Sequence, residues 1–176
     1  QNEFDRYILE GARHVQSYPI TKTRLQIPLT SVEKYFNNTE NNIIRRFLYS
    51  ITGRLTKLKS MRDVYKLLGL HDYPEEEINR GPNLIPNMGA LEDEAMGVTI
   101  LGKETGRGMT FSCAACHSGD LFGKKVIGLT NRFQRANEFF HLGQTILKNT
   151  PDLVFQSLFG ADQKEMKIFK NSKKAI

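Results

Sequence analysis

Cysteine is nearly absent: two residues in 176, three positions apart in one string, so no disulfide framework holds the rest of the chain. The pair is also too close for a zinc finger, which needs a second pair of Cys or His at a proper distance. No apolar run approaches the length that spans a bilayer, and the longest are stretches such as Val98–Leu101. Six Pro and fourteen Gly are too few for a disordered or fibrous chain. With 39% hydrophobic and 25% charged residues, the composition is that of an ordinary globular protein. The length allows one good core, or a small domain with a substantial extension. A first residue Gln1 rather than Met suggests processing or truncation, with any signal peptide already gone.

The net charge of +6 is uneven. Residues 1–110 hold fifteen basic and fourteen acidic residues, whereas 111–176 hold ten and five. No helix-turn-helix signal, zinc spacing or aromatic platform accompanies the basic end. A solvated lysine face, not a nucleic-acid partner, is the expectation.

Along the first forty residues Tyr18-Pro19 and Ile27-Pro28 punctuate short mixed segments, and Thr23–Ile27 alternates weakly like a short strand or an extended arm. From about Glu40 the period turns helical, with Ile43, Ile44, Phe47, Leu48 and Ile51 on one stripe over 40–52. Ser60 with Asp63 predicts a capped helix over 60–68 ending at Gly69. Residues 81–108 read as a long loop, and Gly119–Gly128 as another. A short helix is expected from near Thr110. Asn131 is expected to cap a helix over 132–148, Thr150-Pro151 to start one that Gly160 ends, and Asp162 with Glu165 to open the last.

The chemistry concentrates in Cys113-Ala114-Ala115-Cys116-His117. Two cysteines one helical turn apart present both sulfurs to one side, where they can add to the two vinyl groups of a haem, with His117 placed to ligate the iron. The rival is a redox dithiol, in which a low-pKa thiolate attacks substrate. That site usually sits on a βαβ unit, and no strand is evident before the motif. Haem c is therefore the expected cofactor, with nearby glycines allowing close approach to the ring and Phe111 and Phe122 as candidates to cover it. Candidate ligands opposite His117 are Met166, His141, Met109, Met96 and Met88. Of these, Met109 is too near the motif to reach the far face easily, and His141 is expected near the haem whether or not it binds iron. His14 and His71 are expected to be surface or packing residues.

The stretch Thr110–Gly119 resembles the first haem site of the dihaem cytochromes related to bacterial cytochrome c peroxidases and rubber-oxygenase-type proteins. Cys113 and Cys116 match their thioether cysteines and His117 their proximal ligand, while Ser118 stands where threonine is common. The resemblance covers about residues 96–135. The helical patterns and the haem motif predict an all-α chain, with a cytochrome c-like haem domain over 81–176 and an N-terminal helical extension over 1–80. The resemblance implies one portion of a larger two-haem protein, since those families have two haem sites and this chain has one. The expected function is single-electron transfer, with the Lys164–Lys174 segment steering an acidic redox partner protein. The alternative is haem peroxidase or oxygenase chemistry assisted by His141, Glu138 or Arg135. Haem attachment in turn implies the periplasm or an exported location.

Overall fold

A computed structural model describes residues 2–18, 26–37, 43, 58–75, 79–81, 84–88, 95–101 and 106–175. In chain order the elements are α1 (Glu3–Ser17), β1 (Ile27–Pro28), α2 (Leu29–Asn37), α3 (Met61–Leu67), β2 (Val98–Leu101), β3 (Gly108–Phe111), a 3-10 turn (Cys113–Ala115), β4 (Ser118–Leu121), β5 (Lys124–Ile127), α4 (Ala136–Asn149), α5 (Asp152–Phe159) and α6 (Gln163–Lys174). The strands form a three-stranded sheet of order β1-β3-β2 and a separate antiparallel β4–β5 pair. The all-α expectation is corrected: the fold is mixed. β2 and the start of β3 lie within the expected 81–108 loop, and the β4–β5 hairpin replaces the second one. Helix periodicity is no guide to these strands, because each is only four residues long and set among glycines.

The chain divides into two compact units built from interleaved segments: 1–20, 65–99 and 111–135 in the first, 21–64, 100–110 and 136–176 in the second. The second unit is organised by helices. The Ser60–Asp63 cap that opens α3 is present, with Ser60 N–H donating to Asp63 Oδ2 at 3.0 Å and Asp63 N–H to Ser60 Oγ at 3.2 Å. Asp162 and Glu165 form the full reciprocal capping box of α6, and Gly160 ends α5 in the left-handed conformation. Phe155, Ala161, Met166 and Phe169 make its buried cluster, with the Phe155 and Phe169 rings stacked at 4.0 Å. Buried Glu165 ties α6 to α2, its Oε1 accepting from Ser31 N–H at 2.7 Å and Ser31 Oγ at 3.0 Å.

In the first unit α1, absent from the sequence reading, packs against the 3-10 turn. Asn131 does not open α4, which begins five residues later. Its side chain is spent on the turn, Nδ2 donating to Gly69 O at 2.7 Å and Ala115 O at 3.2 Å and Oδ1 accepting from Phe133 N–H at 2.9 Å. Gly69 follows α3 at φ +70°, as a helix-ending glycine should. The stripe over 40–52 lies outside the described residues except for Ile43, which is exposed.

Candidate functional site

Cys113 and Cys116 lie on the 3-10 turn and at its C-terminal cap, between β3, which ends at Phe111, and β4, which begins at Ser118. Cys116 N–H donates to Cys113 O at 3.2 Å and His117 N–H to the same oxygen at 3.0 Å. Side chains at i and i+3 of a 3-10 helix eclipse one another, so this backbone sets the two sulfurs on one side. Both cysteines are free and half-buried.

The turn is clamped from behind. Ser112 N–H donates to Gly97 O at 2.8 Å, Gly128 N–H to His117 O at 2.8 Å and Asn131 N–H to Cys116 O at 2.9 Å. Gly97 is at φ +89°, and a side chain there would land on the backbone of Ala115. Ala114 and Ala115 are buried, and Ser118 Oγ donates to Ala114 O at 2.7 Å. Of the two thiols, Cys116 donates from Sγ to Gln134 Oε1 at 3.3 Å. Burial, with a smaller contribution from the neighbouring Cys113, raises its pKa and keeps the sulfur protonated.

Beside the turn, His71 meets the Phe133 ring edge-on with centroids 6.5 Å apart. Burial, then Lys125, lowers its pKa, while Asp120, a hydrogen bond with Asn131, and Asp72 pull the other way. Asp120 is itself held ionised by hydrogen bonds, first from Lys125 Nζ at 3.1 Å and then from Gly123 N–H at 2.9 Å. Sequence reasoning missed Gly97, Asn131, Gln134 and His71 as parts of this site. Their spacing carries no signal, since each reaches the turn through a contact distant in sequence.

The expected haem site is corrected on its donors and surroundings. Among the described residues no group of three or more His, Cys, Asp or Glu is gathered that could hold a metal ion. His117, the expected proximal ligand, is exposed. Phe122, expected over the ring, is 98% exposed at the tip of the β4–β5 hairpin, and Phe111 ends β3 half-buried. Met166 belongs to the apolar cluster of the second unit, His141 is exposed on α4, and Met109 is buried in β3 opposite Ile27. Met96 is buried with its N–H bonded to His71 O, and Met88 is exposed. These residues do not make a haem c site. With them fall the iron, the cytochrome c-like fold and the electron-transfer, peroxidase and oxygenase chemistry expected from the motif.

β3, ending at Phe111, precedes the motif, so the strand whose absence counts against a redox dithiol is present.

The second unit carries a groove of about 410 Å³ on α5 and α6, lined by Gln156, Gln163, Met166 and the lysines 167, 170 and 174. The lysines of α6 are partly engaged: Lys173 Nζ donates to Thr150 O at 2.7 Å and pairs with Asp152 at 3.2 Å, and Lys170 lies 3.8 Å from the same carboxylate. No helix among the described residues is long and apolar enough to cross a membrane. Comparison of the chain with protein-family models, with curated proteins and with solved structures finds no match, so the dihaem cytochrome resemblance of residues 110–119 has no support beyond the motif itself.

Proposed function

We propose that the protein works through Cys113 and Cys116 as a dithiol that exchanges with a disulfide on a partner protein. One observation carries this reading: two free thiols stand three apart on a short turn that neighbouring backbone clamps, close enough that Cys113 adds to the burial that raises the Cys116 pKa. In the exchange, a thiolate from the pair attacks one sulfur of the partner's disulfide, and the partner's other sulfur leaves as a thiolate and takes a proton. The second thiol of the pair, once deprotonated, attacks the mixed disulfide and releases the partner's remaining thiol. Two electrons pass to the partner, and Cys113 and Cys116 end joined. A thiol reductant returns them to the dithiol.

Cys116, held protonated and bonded to Gln134, suits the resolving role, and exchange should quicken as pH rises. A periplasmic or exported location accords with this chemistry, because disulfides persist there. Thiol counting and intact-mass measurement test it directly. The reduced, denatured chain should show two reactive thiols, and mild oxidation should remove two hydrogens and both thiols together. Sulfurs that stay blocked under denaturing, reducing conditions, or that carry a bonded group, would overturn the reading. So would thiols that oxidise without ever pairing.

A further inference from the structure

The β4–β5 hairpin turns through two residues, Phe122 and Gly123, at φ +51° and +78°. Two consecutive positive φ values are the mark of a type I′ turn, whose first central position favours Asn, Asp or Gly. Phe122 is the non-glycine residue with positive φ among those described. Its ring is 98% exposed, so it buries nothing within the chain that would offset the strain of the left-handed conformation. Folding alone gives no reason for an aromatic side chain at this position. Leu121 beside it is 47% exposed.

The tip is held firmly despite this exposure. Asp120 Oδ1 accepts from Gly123 N–H, and Asp120 Oδ2 pairs with Lys125 Nζ at 3.1 Å. That pairing neutralises the one acidic residue of the hairpin, while Lys124 stands exposed next to Gly123. From 121 to 135 the sequence holds Lys124, Lys125, Arg132 and Arg135 and no acidic residue. A hairpin tip with an aromatic and an aliphatic side chain in water, beside the exposed cation of Lys124, has the chemistry of an interfacial anchor.

We propose that the Leu121–Lys124 tip docks this protein reversibly on an anionic lipid surface, with Phe122 entering the headgroup layer and Lys124 against the lipid phosphates. The proposal does not depend on the dithiol reading, since neither cysteine takes part. It is tested by co-sedimentation of the full chain with vesicles of equal parts phosphatidylglycerol and phosphatidylcholine, and with pure phosphatidylcholine. Binding to the anionic vesicles is expected at low salt, with loss in 0.5 M salt and little on the neutral ones, 0.5 M being on the order of the ionic strength that confines such attraction to a few ångströms. Phe122→Asn should weaken it by about tenfold, as loss of one inserted apolar side chain implies. Because Asn suits a type I′ turn, the variant should keep or raise its thermal unfolding midpoint. Lys124→Glu should weaken binding as well. Absence of binding at low salt overturns the proposal, as does equal binding to neutral vesicles or binding that survives Phe122→Asn. A chain that instead dimerises through the tip, with Phe122→Asn monomeric and no vesicle binding, assigns the tip to a second copy and overturns it too.

Discussion

The two units reach stability by opposite routes. In the second unit, side chains fill space: stacked Phe155 and Phe169, with Met166 and Ala161 around them, close the core, and α6 is held by its own Asp162–Glu165 capping box. Its one buried carboxylate among the described residues, Glu165, has both oxygens engaged, Oε1 by Ser31 and Oε2 by Asp162 N–H at 3.2 Å. In the first unit the absence of side chains matters more. Gly97 and Gly69 admit other backbone segments where any Cβ would collide, and Asn131 joins those segments by hydrogen bonds. It also leaves Gln16 Oε1 and Ser112 Oγ buried without a hydrogen-bond partner, one of them adjoining Cys113. A region built on close backbone approach and incomplete polar pairing is a costlier construction than a packed helical core. Its cost falls at the cysteine turn, where such compromises tend to mark function.

If this contrast is right, the most damaging substitution in the first unit adds atoms and that in the second removes them. Gly97→Ala should cost ~4 kcal/mol or more, combining a left-handed φ with a collision against the Ala115 backbone that no rotamer relieves. Phe169→Ala should cost ~3–5 kcal/mol through the cavity it leaves beside Phe155. Urea unfolding of both variants measures each. A Gly97→Ala protein as stable as the parent would remove the basis of the comparison.

Polar substitutions sharpen it at a smaller scale. Glu165→Ala leaves the Ser31 N–H and hydroxyl and the Asp162 N–H without their acceptor, and should cost ~3 kcal/mol. Asn131→Ala frees two carbonyls and the Phe133 N–H, some of them within reach of water, and should cost ~2 kcal/mol. The two differ more clearly in a second measurement. Asn131→Ala should also speed alkylation of Cys116, whose carbonyl is bonded to the Asn131 N–H at the next link of the same segment. Unchanged alkylation would mean the turn holds its shape without that brace.

The same contrast explains what could be read from the chain beforehand. The helices of the second unit were legible because their signals are local. Asp162 and Glu165 lie three apart, Gly160 closes α5, and Met166 and Phe169 share a helix face. Even there Pro151 rather than Thr150 takes the capping position of α5. The first unit was mostly illegible. Its strands are four residues long, α1 buries little along its length, and the Gly97–Ala115 approach joins residues with nothing between them in sequence to announce it. The cysteines stand out in the sequence, but their spacing is compatible with several chemistries. The string therefore located a site without fixing its cofactor, and the haem inferred from it required a donor set that the described residues do not assemble.

The smallest expected effect is a pH dependence carried by His71. The groups facing it are Lys125 and Asp120 from the hairpin, Asn131, Asp72 at its side, and the edge of Phe133. Burial and Lys125 outweigh the two carboxylates and the Asn131 hydrogen bond, so its folded pKa lies below the ordinary histidine value. A histidine depressed in the folded state takes up a proton more readily when unfolded. Its contribution to stability is therefore present above the ordinary value and lost as pH falls through the folded one. Unfolding midpoints measured from pH 7.5 down to pH 5 should decline, and His71→Asn should flatten part of that decline. The effect is modest because the imidazole is only half-buried and solvent screens its neighbours. Lys125→Ala gives the opposite handle. It removes the cation that depresses His71 and also one of the two bonds holding Asp120 ionised, so the histidine should titrate at higher pH. Nuclear magnetic resonance titration of the imidazole reads that shift directly. A His71 resonance that titrates identically in the parent and in Lys125→Ala would show that the hairpin does not reach this histidine electrostatically.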